Sequence, residues 1–223
     1  MCPGHEKWHP NPAFYYATGG GPVFDMAPYY LTSLVNLLGP VKRVSALGSQ
    51  LRHERTILSE PLRGQKIRVH VPTHVAGLLE FESGAIVTMV MSFDVLKHAH
   101  RHIELYGSKG SLSVPDPDKF GDQIEMAGDS GDWVPVPTRF QYADRNYRIL
   151  GVADMAAAIR DDQPHRATGE LALHVLEVME ALHVSSDQGR HVEIVSCPPR
   201  PAAMPLHAMF GHENSELKGE KYK

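Results

Sequence analysis

From Val41 to Pro137 the chain reads as one strand after another, with a helix before them, helices after them and none between. A doubly wound parallel sheet needs helices alternating with its strands, so that architecture is excluded. What remains is an α+β fold: a large, mostly antiparallel open sheet with helices on one face. "VKRVSALGSQ" predicts the first strand. "THVAGLLEFESGAIVTMVMSF" (73–93) predicts a hairpin turning at Glu82-Ser83-Gly84, with Val87, Met89, Met91 and Phe93 sharing a face. Whether that face meets the helices or the opposite one does is left open by the pattern. "HIELYGSKGSLSV" predicts a second hairpin around Gly107-Ser108-Lys109-Gly110, and "DPDKFGDQIEMAGDSGDWVPVP" adds short strands broken by Pro, Gly and Asp.

The helices are well punctuated. Pro22 suits a first helical position, where a missing N–H costs nothing, and Asp25 in the first turn complements the helix dipole. Phe24, Ala27, Leu31, Leu34, Val35 and Leu38 then recur at helical spacing until Gly39-Pro40 stops the run. "GVADMAAAIRDD" predicts a short helix. "TGELALHVLEVMEALHVSSDQG" predicts a longer one, capped by Thr168, ended by Gly189 and striped by Leu171, Val175, Val178, Met179 and Leu182. "HVEIV" closes with a strand. One α+β domain over 1–197 and an irregular, proline-rich and charged tail over 198–223 are expected.

Composition narrows the function. The net charge is -4, with both signs interspersed, so no basic stripe marks a nucleic-acid binder. No apolar run reaches the roughly 20 residues of a membrane span, and the start, "MCPGHEKWHP", lacks a signal-peptide core. Two cysteines, Cys2 and Cys197, give neither a disulfide framework nor metal-ligand spacing, and a reducing cytoplasm is the default expectation.

Several stretches could carry chemistry. Gly19-Gly20-Gly21 precedes a helix, but a dinucleotide fingerprint wants a small residue where Phe24 stands, and Asp25 would repel a phosphate. Asp25 and Tyr29 share a helical face. They are either a capping carboxylate with a core tyrosine or an acid/base pair at a cleft. His98, His100 and His102 alternate, as on one strand face, with His5 and His9 near the start; no acidic or thiolate companions stand at ligand spacing, so an exposed polar strand face is expected and no metal. "GHEKWHPNPAFYY" (4–16) is dense in polar and aromatic residues, and stands equally as a ligand-contacting loop or a packed surface loop.

Gly19-Gly20-Gly21, Asp25 and Tyr29 resemble the G-G-G-x-x-x-D-x-x-x-H element of the glucose–fructose oxidoreductase and inositol dehydrogenase (Gfo/Idh/MocA) family. The resemblance continues through "LLGPVKRV", "LEFESGAIVTM", "IELYGSKGSL" and "HRATGELALHVLEVMEALHVSSDQGRHVEI", over about residues 4–195. In that family these segments form the C-terminal half, after a nucleotide-binding half with a G-x-G-x-x-G loop and an E-K-P lysine. Neither is in this sequence; Glu6-Lys7 is followed by Trp8.

The resemblance implies a substrate-binding and oligomerisation domain of an NAD- or NADP-dependent oxidoreductase acting on a sugar or polyol. No dinucleotide is expected on this chain alone. Asp25 matches the family's substrate-contacting aspartate, and Tyr29 stands where the family carries its acid/base histidine. A phenol is a poorer proton acceptor than an imidazole at neutrality, so this departure has chemical consequences. His9, Asn11 and Gly21 are the expected substrate contacts. A homo-oligomer paired through the open sheet face is implied as well. The competing readings are a non-catalytic self-associating module and, more weakly, a His-rich metallohydrolase.

Overall fold

Pro22, with no N–H to leave unpaired, opens α1 (Pro22–Leu38), and Val23, Ala27, Leu31, Leu34 and Val35 turn inward along it. The computed structural model describes residues 1–119, 121–137 and 147–204. Among them lie the strands β1 (Val41–Ser49), β2 (Glu54–Thr56), β3 (Lys66–Arg68), β4 (His74–Phe81), β5 (Ile86–Ser92), β6 (Ile103–Gly107), β7 (Gly110–Val114), β8 (Ile124–Ala127), β9 (Val134–Val136) and β10 (Val192–Glu193), with the helices α2 (Leu150–Asp161) and α3 (Gly169–Gln188). Every described strand pairing is antiparallel, so the α+β class is that expected. The strands are shared among three sheets, and the chain forms two compact units.

The first unit holds residues 1–100 and 168–201. Its main sheet has the order β10-β1-β4-β5. Register decides which face is wet. Val44 lies opposite Leu79, and Leu79 opposite Val87; the next row is Ala46, Gly77 and Met89. This is the face that α1 and α3 cover, and Val44, Ala46, Leu79, Met89 and Met91 are buried on it. The other face carries Leu47, Leu78, Ile86 and Val90, all exposed, with Arg43 and Glu80 paired at 2.5 Å along its edge. Burial of the first face follows the alternation of the strands. The second face is apolar and has no cover among the described residues.

A smaller sheet, β2-β3, has its own core beside it: Tyr16, Ile57, Ile67, Val69 and Phe93. These two short strands and the 3-10 turns His5–Lys7 and Ala13–Tyr16 are elements that hydrophobic periodicity does not announce, being too short to repeat.

Polar groups pin α3 to the sheet. Thr168 accepts the Leu171 N–H at 3.2 Å as its cap. Ser185 Oγ accepts from Ala46 N–H at 2.9 Å and donates to the Arg190 carbonyl. His174, fully buried, accepts the Val41 N–H on Nε2 at 3.0 Å, and its Nδ1 lies 3.0 Å from the Ser196 carbonyl. An Nε2 that accepts and an Nδ1–H that donates define a neutral ring. Burial pushes His174 below the ordinary histidine value, against the Ser196 hydrogen bond and Glu177.

The folded protein therefore binds that proton less well than the unfolded chain does. The stabilisation is present above the unfolded value of about 6.5 and is lost as pH falls from there. Thermal unfolding across that window should show a falling melting temperature, and His174→Gln, which cannot titrate, should flatten it. An unchanged slope in the variant would remove His174 from the account. Burial pushes His183 down in the same direction, so part of the slope should survive.

The second unit holds the described residues of 101–167 and 202–204. Its sheet runs β6-β7-β8-β9 as a plain meander. Arg101 packs over the Trp133 ring, 4.4 Å from its centroid, and bonds Glu125 and Ser113. In α2 the buried Asp154 accepts from the Arg166 backbone at 2.7 Å and from its guanidinium.

Residues 98–102 are not the strand that their alternation predicts; β6 starts only at Ile103. Three like polar residues in alternation leave no apolar face to bury, so nothing selects an extended pairing there. The tail expected over 198–223 lies outside the described residues from 205 on.

Candidate functional site

The loop before α1 and the first turns of that helix fold onto one another. Gly20 N–H donates to the Ala17 carbonyl at 2.9 Å, and Gly21 N–H to the Tyr15 carbonyl at 2.7 Å. A Cβ on Gly20 would sit 2.6 Å from the carbonyl oxygens of Phe14 and Tyr15. Gly21, at φ 94°, holds a left-handed conformation, and a Cβ there would meet the Pro72 carbonyl oxygen at 3.2 Å. The glycine run thus serves a close approach of the chain to itself. The amides of Gly20 and Gly21 are spent, and Asp25 lies just inside the helix, so this stretch does not fit a dinucleotide phosphate.

That approach puts the aromatic loop over Asp25. His5 Nε2 lies 2.7 Å from Asp25 Oδ2. The Tyr15 ring lies against His5, centroids 3.8 Å apart, and Trp8 meets His5 edge-on at 5.3 Å. Burial first, then the Asp25 carboxylate and Tyr29, push the Tyr15 hydroxyl above the usual tyrosine value. Through His5 the Tyr15 ring is linked to Asp25, and Tyr29 stands one helical turn on from Asp25, on the same face. Asp25 and Tyr29 are each half-buried.

The other expected contacts are arranged around the same tyrosine. His9 stands 5.3 Å from the Tyr15 ring and 5.5 Å from Phe14, and its Nδ1 accepts the Asn11 N–H at 3.1 Å. Asn11 is exposed, and Trp8 and Phe14 are 61% and 56% exposed, forming an aromatic rim. Gly21 is placed against backbone and Val71. Asp25 and His9 are thus linked through His5 and Tyr15, Asn11 joins through its backbone, Gly21 serves the turn, and Tyr29 shares only the helical face of Asp25.

Beneath the rim is a buried charge network. Arg55 Nη1 donates to Glu6 Oε1 at 2.8 Å, and Nη2 donates to Asp94. Tyr16 donates its hydroxyl proton to Glu6 and accepts the His5 N–H at 3.0 Å. Thr73 Oγ1 donates to Asp94 Oδ2 at 2.6 Å. Burial, and then the hydrogen bond to Glu6, push Tyr16 far above the ordinary value, keeping it a donor.

Histidines elsewhere do not gather. The His98 and His100 rings are 6.3 Å apart, His102 Nε2 is 3.5 Å from Asp116, and among the described residues no group of three or more His, Cys, Asp or Glu could hold a metal. Sequence reasoning missed His5, Tyr15 and the Glu6–Arg55 pair as site components. The density of "GHEKWHPNPAFYY" was the available signal.

The GFO/IDH/MocA C-terminal domain family matches residues 2–113, half of the chain. The chain belongs to the GFO/IDH/MocA family. No curated protein matches the sequence. Among solved structures, levoglucosan dehydrogenase in complex with NADH and L-sorbose is 20% identical, with a TM-score of 0.64 over 84% of this chain and 54% of that one. An NAD binding oxidoreductase from Klebsiella pneumoniae gives 18% and 0.67, over 85% of this chain and 55% of that one. An oxidoreductase domain protein from Kribbella flavida gives 17% and 0.63, over 87% and 57%. At these identities the likeness is one of fold, and this GFO/IDH/MocA domain spans just over half the length of each relative.

Proposed function

We propose that this chain is the substrate-binding and self-association domain of an NAD(P)-dependent oxidoreductase acting on a sugar or polyol. The observation that carries the reading is the chain of contacts from His9 through Tyr15 and His5 to Asp25, beside the exposed Trp8 and Phe14, with Tyr29 on the same helical face as Asp25. A neutral polyhydroxy substrate suits such a place. Its hydroxyls find acceptors and donors, its C–H faces find Trp8 and Phe14, and the cation Arg55 is buried and already paired with two carboxylates. The ligands of the levoglucosan dehydrogenase complex, NADH and L-sorbose, point the same way.

Within this reading Asp25 orients the substrate hydroxyl and accepts its hydrogen bond. Tyr29, one turn on, holds or passes the proton of that hydroxyl as the carbon is oxidised. The dinucleotide supplies the hydride chemistry from the family's nucleotide-binding half, and no residue of this chain is assigned to hold it. The domain is read as a cytoplasmic protein's. The test is an assay of this domain joined to a family nucleotide-binding half. NAD(P)-dependent oxidation of at least one sugar or polyol is expected; inactivity across aldoses, ketoses, anhydrosugars and inositols would sink the reading.

Self-association is assigned to the face of the main sheet that is exposed among the described residues. α1 and α3 occupy one side, while Leu47, Leu78, Ile86 and Val90 stand exposed on the other, flanked by Arg43–Glu80. A second copy related by a two-fold axis presents the same strip and the same two charges of opposite sign, so the patch is complementary to itself. Sedimentation at micromolar concentration should show a dimer that Leu78→Lys converts to monomer. A monomeric wild-type chain would overturn the assignment. The alternative function, a non-catalytic self-associating module, would keep this face and make Asp25 and Tyr29 purely structural.

A further inference from the structure

The His5 ring is far more enclosed than the carboxylate it faces. Its side chain is 9% exposed, against 23% for Asp25. Tyr15 lies against it at 3.8 Å and Phe93 at 4.7 Å between centroids, and Trp8 closes the edge at 5.3 Å. The backbone beneath is fixed too, because the His5 N–H donates to the Tyr16 hydroxyl, itself bound to Glu6 and through it to Arg55. Such a ring has little freedom to turn.

Its two nitrogens meet opposite surroundings. Nε2 faces Asp25 Oδ2 at 2.7 Å, while Nδ1 is buried with no hydrogen-bond partner among the described residues. An ionised carboxylate only accepts, so the nitrogen facing it carries the hydrogen. A hydrogen on Nδ1 would be a buried donor with nothing to receive it, the rarer and costlier of the unmet groups. Geometry alone therefore fixes one tautomer, with the hydrogen on Nε2.

We propose that His5 is the positioning residue of this site. Its Nε2–H holds one oxygen of Asp25 and thereby fixes the rotation of the carboxylate, leaving the other oxygen for the substrate hydroxyl. This rests on the assignment of Asp25 made above. Asp25 sits on a half-exposed helix turn and would otherwise sample several rotamers, so a buried imidazole on a rigid loop is what gives it one direction. The loop reaches Asp25 only because Gly20 and Gly21 let it come close, which ties the glycine run to the site's geometry.

Two measurements on the chain itself test this, with a third on the joined enzyme. Long-range nitrogen–proton correlation of the imidazoles should show one histidine, absent from His5→Gln, whose hydrogen is on Nε2 and whose Nδ1 is bare. A hydrogen on Nδ1 of His5 overturns the proposal. The carboxyl carbon signal of Asp25 should move in His5→Phe, which keeps the ring but loses the donor. It should stay near its place in His5→Gln, whose amide N–H can stand where Nε2–H stood. An unmoved signal in His5→Phe also overturns it.

In the joined enzyme, His5→Phe should lower kcat on the order of 10–10²-fold with KM within about twofold, and His5→Gln should recover most of that loss. Equal losses in the two variants that track their melting temperatures would mean a structural ring, and the proposal fails. Should His5→Phe not fold, the tautomer measurement on the unmodified chain still decides. Failure here is separable from failure of the parent reading. A correct tautomer with a silent Asp25→Asn condemns the function, and a wrong tautomer with a crippled Asp25→Asn condemns only His5.

Discussion

Replacing Arg55 with methionine is expected to cost about 3–5 kcal/mol of folding stability, the usual effect of stripping one partner from a buried ion pair. The Arg55 side chain is 2% exposed, and its partners Glu6 and Asp94 are 5% and 8% exposed. Both carboxylates would remain in a dry place without a cation, and neither Tyr16 nor Thr73 can supply a charge. The guanidinium also stacks 4.9 Å from the Tyr16 ring and donates to the Phe93 carbonyl at 3.3 Å, so packing is lost with the charge. Denaturant unfolding measures the loss. Adding Glu6→Gln and Asp94→Asn to the variant should restore much of it, because the orphaned charges go with them. A cost below about 1 kcal/mol, the range of exposed pairs, would mean that water reaches the network and that the loop is less firmly founded than described.

In the joined enzyme, Asp25→Asn and Tyr29→Phe are each expected to reduce turnover by about 10²-fold or more, the scale of losing a general acid or base. Asparagine keeps the size of the side chain but removes the charge that, in the proposed role, receives the substrate's hydrogen. Phenylalanine keeps the ring and removes the only group of Tyr29 that can carry a proton. Because both residues are half-buried, the isolated chain should lose little by comparison, within roughly 0.5–1 kcal/mol. His5 is the qualification for Asp25, since the asparagine must still accept from Nε2–H through its amide oxygen. If instead the melting temperature falls steeply and turnover barely changes, the pair is structural and the non-catalytic reading gains. The two readouts move in opposite senses under the two readings.

Much of the fold could be read from the sequence because its signals repeat. The apolar stripe of α3, the Thr168 cap and the hairpin at Glu82-Ser83-Gly84 each rest on several residues that agree. Asp25 and Tyr29 could be paired for the same reason, since helical spacing fixes their common face. What was illegible depends on contacts between distant segments. His5 meets Asp25 across 20 positions and Arg55 meets Glu6 across 49, and no local pattern encodes either meeting. The exposed apolar face of the sheet was equally hidden, because Leu47, Leu78, Ile86 and Val90 alternate with buried residues that are just as apolar. The alternating histidines misled in the other direction: a period of two is a strand signal only when one of its faces has something to bury.

The clasp between the glycine run and the aromatic loop bears on where new substrate preferences can arise. Any side chain at Gly20 collides with the backbone of Phe14 and Tyr15, so variation there breaks the frame before it can alter a preference. Trp8, Asn11 and Phe14 are exposed on the same loop, and their side chains can change while that frame stays put. Under the proposed substrate-binding role, a directed-evolution library aimed at a new substrate should spend its diversity on those three positions and leave residues 19–21 untouched, and descendants of one ancestral domain should differ in substrate chiefly along the rim.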